Sequence, residues 1–202
     1  MGYHHMFYGL DLDRLEAVFG SKNANFTAEI LRARKQDFKD LNQQFEDDYE
    51  DFPKCEQALR EFVAGSFGDH EHAKAMYGYA LQIICEHIGQ RVGGDDVASI
   101  ADHPYASQLV ASGPPIPIPY DKSDFPEIGF LSWAQIPDEI KRIDAAPRRP
   151  KRSLVLSIVS LLTSGRAGHQ MSKAEVAEDM AAYRKTLTEA LDKNLAIVSF
   201  RY

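Results

Sequence analysis

The side chains of this chain best suited to chemistry are its histidines, its two cysteines and its runs of carboxylates. Asp69, His70, Glu71 and His72 set two imidazoles among two carboxylates, the donor types that zinc and related metals take. His70 and His72 are the candidate ligands, yet a spacing of two converges only on extended backbone, and the cluster stands where a long helix should begin. Acidic residues in a helix's first turn answer the positive end of its dipole, which accounts for the cluster without a metal. HExxH and related zinc motifs are absent from the sequence, so no metal and no other cofactor is expected.

Cys85, Glu86 and His87 resemble a nucleophile with its base. Neighbours on a helix diverge by about 100°, however, and Cys85 falls in an apolar stripe with Leu81 and Ile88, as a packed thiol does. His87 borders that stripe, where its ring can hydrogen-bond to backbone or titrate near neutral pH. His4 and His5 point to opposite faces of a strand, so one of them can face a cleft. An enzyme reading gathers His5, Asp11, His70, Glu86 and His87 from distant segments into one pocket for general acid–base work. No G-x-S-x-G elbow, Walker loop or G-x-G-x-x-G fingerprint is present, and GQRVGG at 89–94 lacks the lysine of a phosphate loop.

The candidate binding residues are of another kind. EDDYED at 46–51 contributes Glu46, Asp47, Asp48, Glu50 and Asp51, whose mutual repulsion keeps them in water. Tyr120 lies in a proline-rich stretch, and Trp133 is the chain's one tryptophan. Each also has a plainer account, as solvated charge or as packing. With 202 residues and a formal net charge of −7, the chain is long enough for a substantial core. It carries the wrong sign for nucleic acid and the right one for a basic protein partner. The cysteines form no CxxC pair, no export or acylation signal is legible, and no apolar stretch is long enough to span a bilayer. A cytoplasmic protein with no membrane partner is expected, as a monomer or a homodimer.

The elements that must position these residues follow from periodicity. Residues 3–10 are aromatic-rich and read as a strand, after which Asp11 caps a helix bearing Leu12, Leu15 and Val18, stopped by Gly20. Phe26, Ile30, Phe38, Leu41 and Phe45 predict one helix over 25–45, and Cys55 to Val63 a third, ended by GSFG at 65–68. Ala73, Met76, Tyr77, Ala80, Leu81, Ile84 and Ile88 mark the central core helix, with Gly89 as its stop. Alternate prolines in SGPPIPIPYDKSDFP predict a packed extended loop at about 112–126, because Ile116, Ile118, Tyr120 and Phe125 are too apolar for a solvated tether. A strand at 129–132, a helix through Ile136, Ile140 and Ile143, a basic hinge at 148–152 and a buried helix at 154–162 come next. Ser172 and Glu175 then form a capping box, and LAIVSFRY closes the chain as a strand. The expected fold is α+β: one predominantly helical domain over 1–202, with a small sheet of N-terminal, central and C-terminal short strands covered by helices on one face.

YGLDLDRLEAVFGSKN at 8–23, YGYALQIICEHIG at 77–89, PIPIPYDKSDFPEIGFLS at 115–132 and the closing AIVSFRY together resemble an uncharacterised bacterial protein family of unknown function. The last helix and strand, 174–202, are more remotely similar to the YfbM-like proteins. The resemblance implies a shared fold and brings no activity, substrate or catalytic residue. The leading expectation is therefore a non-catalytic protein-interaction domain, inhibitor- or immunity-like, with an acidic surface. The alternative is an enzyme of unrecognised type built on the histidine and carboxylate group above.

Overall fold

β4 (Ala196–Arg201) reads AIVSFR, with no polar alternation, and every residue but Arg201 is buried. A strand that is apolar on both pleats must be covered on both faces, and this requirement sets the architecture. The structure is a computed structural model that describes residues 5–45, 53–68, 74–93, 109, 112–122, 126–145 and 173–202, with backbone alone at 173–176. β1 (His5–Leu10) pairs antiparallel with β4 from His5↔Arg201 to Leu10↔Ala196, and β3 (Glu127–Leu131) pairs with its other edge. A fourth strand, β2 (Gln90–Arg91), adds two residues against Tyr8 and Gly9, giving the order β2-β1-β4-β3.

Tyr8, Leu10, Ile128, Val198 and Phe200 face one side of the sheet. Against them pack α1 (Leu12–Val18), α2 (Ala24–Ala33), α3 (Lys35–Gln44), α4 (Cys55–Ala64) and α5 (Lys74–Ile88), through residues such as Leu15, Ile30, Phe38, Phe62 and Leu81. Phe7, Leu131 and Ile197 face the other side, where α6 (Ile136–Ala145) and α7 (Lys173–Asp192) cover them with Ile136, Ile143, Tyr183 and Leu187. The fold is α+β and predominantly helical, as the sequence predicts, but the expected one-sided cover is replaced by helices on both faces. The unbroken apolar run of β4 is the physical reason.

The helical layer is shaped by local chemistry. Asp11 caps α1 by accepting from the Asp13 amide at 3.0 Å. Gly65 caps α4 in the left-handed region at φ 68°, and an added Cβ there would press on the Gly20 backbone. The single helix expected over 25–45 is two, because Arg34 leaves helical geometry at φ −113°, ψ 24°. The bend lets both Ile30 and Phe38 reach the core, and the Arg34 guanidinium donates to the Glu86 carbonyl of α5 at 3.0 Å. α5 is buried over ten of its fifteen residues, so it is the central helix of that layer. The Cys55 and Cys85 thiols are buried there, and burial pushes both pKa values well up, leaving the free thiols inert.

The proline-rich stretch seals the outer edge of β3. Ile116 and Ile118 are buried in the core. The Tyr120 hydroxyl accepts from the Ile128 amide at 2.9 Å, and Ser112 Oγ accepts from the Phe130 amide at 2.7 Å and donates to its carbonyl at 3.0 Å. Ile128 and Phe130 are the residues whose backbone groups face away from β4, so these side chains satisfy an edge that would otherwise be open to another strand. Phe125, the basic hinge, the helix expected at 154–162 and Ser172 lie outside the described residues. Among the described residues no helix is long and apolar enough to cross a membrane.

Candidate functional site

α3 and α5 each turn one i, i+3, i+4, i+7 face toward a groove of about 320 Å³. From α3 come Asp37, Asp40, Leu41 and Gln44. From α5 come Tyr79, Gln82, Ile83 and Glu86, and Tyr202, just beyond β4, closes the end. The floor is aromatic: Tyr79 and Tyr202 stack with centroids 5.7 Å apart, and Phe45 tilts on Tyr79 at 5.3 Å. Desolvation raises the Tyr79 pKa to about 12, with a further push from Cys55, and desolvation also raises that of Tyr202, so both phenols stay neutral.

The rim is acidic. Arg34 Nη1 lies 3.3 Å from Glu86 and 3.7 Å from Asp37, and it is the one cation paired with these carboxylates among the described residues. Asp40 accepts from Gln36 Nε2 at 2.6 Å and has no such cation. Three carboxylates against one guanidinium leave a net formal charge of about −2 at the groove. A larger trough, about 470 Å³, runs between α2 and α4 under Lys22 and Arg60. Its walls are mostly alanine, leucine and valine, without convergent acceptors, so the α3–α5 groove is the better candidate.

Over residues 1–202 the sequence matches a family model described as a domain of unknown function, DUF7691. The chain belongs to the DUF7691 family. No curated protein and no solved structure matches it.

Within this DUF7691 chain the residues singled out from sequence fall in separate places. His5 is buried on the α6–α7 side of the sheet, with its ring 4.3 Å from that of Phe7. His87 lies on the opposite side, against Phe26 and 3.2 Å from Glu29 of α2. Asp11 is engaged as a helix cap, and Glu86 alone of that group lines the groove. The described members of the proposed acid–base set are therefore not brought together, while His70 lies outside the described residues, as do His72 and Glu46, Asp47, Asp48, Glu50 and Asp51. Among the described residues no three His, Cys, Asp or Glu side chains are arranged to hold a metal ion. Tyr120 is engaged in sealing β3. Trp133 is 47% exposed, with its indole N–H donating to the Leu191 carbonyl at 3.3 Å. Periodicity overlooked Asp37, Asp40, Tyr79, Gln82 and Tyr202; the signal that could have found them is the matched spacing of polar and aromatic residues on two helices.

Proposed function

We propose that this chain is a non-catalytic protein-interaction domain of the cytoplasm, inhibitor- or immunity-like, whose α3–α5 groove docks a basic face of its partner. The observation that carries this reading is the excess of carboxylate over cation around an aromatic floor. Apolar area supplies contact there, and uncompensated negative charge selects and steers a positive surface. The chain's net charge of −7 acts in the same direction, and the acidic run at 46–51 follows Phe45 directly in the sequence. The enzyme alternative draws no support from the placement of His5, Asp11, Glu86 and His87.

The test uses short poly-L-arginine immobilised on a sensor as a surrogate basic surface. Neutralising the groove by Asp37→Asn, Asp40→Asn and Glu86→Gln together should slow association roughly tenfold at low ionic strength, with the difference shrinking as salt is added. A circular dichroism melt checks that the variant is folded. An association rate indifferent to the three substitutions would remove the reading.

A further inference from the structure

We propose that the α3–α5 groove is a receptor for a single arginine side chain, an inference that rests on the protein-docking reading and names the group the partner inserts. The groove is rich in acceptors and poor in donors. Asp37, Asp40 and Glu86 are acceptors only, and Gln82, held by Tyr8 and by Met6 Sδ at 3.8 Å, adds a side-chain amide to the lining. Tyr79 is 6% exposed and lines the groove, yet its hydroxyl receives no hydrogen bond from any described residue. The ring is held in place while its hydroxyl stays available to a ligand that enters the groove.

A guanidinium answers each feature. It brings five N–H donors in a flat fork and no acceptor, so it can bond to α3 and α5 at once, whereas an ammonium is a compact charge that favours one side. Its planar face packs on the stacked Tyr79–Tyr202 pair, a contact open to arginine and weaker for lysine. The protein's own Arg34 already sets a guanidinium nitrogen between Glu86 and Asp37 at the groove's rim, so these carboxylates are placed to receive that group.

The probe is the capped peptide acetyl-Gly-Gly-Arg-Gly-Gly-amide, titrated into the whole chain while the ring signals of Tyr79 and Tyr202 are followed by nuclear magnetic resonance. Counterparts with lysine or citrulline at the centre are titrated in parallel. The arginine peptide should give saturable shifts and bind roughly fivefold tighter than the lysine peptide. The citrulline peptide, which keeps the shape and loses the charge, should not saturate. Tyr202→Leu should abolish the preference for arginine over lysine while leaving poly-L-arginine association largely intact, since no charge is removed. Equal affinity for arginine and lysine peptides, with poly-L-arginine still dependent on the carboxylates, would overturn the arginine receptor and leave the docking reading standing. Peptides that shift neither ring, together with poly-L-arginine association indifferent to the carboxylates, would overturn both.

Discussion

Gly129→Ala is expected to lower the melting temperature by about 6–12 °C, because an overpacked core site costs up to about 3 kcal/mol and a chain of this size loses about 2–4 °C per kcal/mol. Gly129 sits in the middle of β3, paired with Ser199 of the central strand. A Cβ built on it would coincide with the backbone carbonyl of Leu109, so the obstruction is main chain and not a side chain able to swing aside. Leu109 is itself fully buried on the α6–α7 face of the sheet. Either the segment at 109 lifts off the sheet or β3 shifts in register, and in both cases the Ser112 bonds to Phe130 are strained or lost. Ser112→Ala, which removes those bonds without adding bulk, should cost about 1 kcal/mol and serves as the comparison in the same thermal melts. A Gly129→Ala protein that melts with the wild type would show that the close approach is not required.

Glu139→Ala is expected to destabilise by about 2–3 kcal/mol, read from urea unfolding midpoints. Glu139 is 3% exposed on the inner face of α6, where its carboxylate accepts from Arg142 at 2.7 and 2.8 Å and from the Tyr183 hydroxyl at 3.1 Å. Removing it breaks three hydrogen bonds to a carboxylate and opens a small cavity between α6 and α7. The Arg142 side chain is 32% exposed and can turn partly to water, which keeps the cost toward the lower end for a broken buried pair. Replacing the whole set by Glu139→Met, Arg142→Leu and Tyr183→Phe should recover most of the loss, since an apolar set of similar volume needs no desolvation of charge. Unfolding of Glu139→Ala at the wild-type midpoint would mean that the triad contributes nothing to holding α6 on α7.

Much of the fold is legible in the sequence where the signal is local. The Asp11 cap, the left-handed Gly65, the buried stripe of α5 and the strands at both ends of the chain follow from residue type and spacing over a few positions. The β3 strand appears two residues earlier than periodicity places it, because Glu127 joins the sheet through Arg201 at 2.9 Å, a contact 74 residues away in sequence. The bend at Arg34 carries no glycine or proline to announce it; its cause is the tertiary tie to Glu86. β2 is two exposed residues whose only strand character is their pairing with Tyr8 and Gly9. The second layer of helices is not expected from periodicity, although the unalternating AIVSF calls for it; Tyr183 and Leu187 of α7 supply it against Ile197 and Phe7.

The groove was harder to read for the same reason. In sequence Glu86 is a neighbour of Cys85 and His87, yet in the fold it pairs with Arg34 and shares the groove with Asp37 and Asp40 of α3 and with Tyr202, just beyond β4. Helical phase points His87 toward α2 and Cys85 into the core, so three adjacent residues serve three different surroundings. Spacing within one helix can reject a false triad, but convergence from residues 37, 79 and 202 is a property of the tertiary fold.

Carboxylate footprinting tests the groove most directly: the protein is labelled with carbodiimide and an amine, with and without saturating poly-L-arginine, and each acidic side chain is quantified by mass spectrometry. Asp37, Asp40 and Glu86 should be protected by the polycation, while Asp13, Glu16 and Asp138, carboxylates outside the groove, should label as before. Protection spread evenly over all acidic residues, or concentrated away from α3 and α5, would contradict a docking site in the groove.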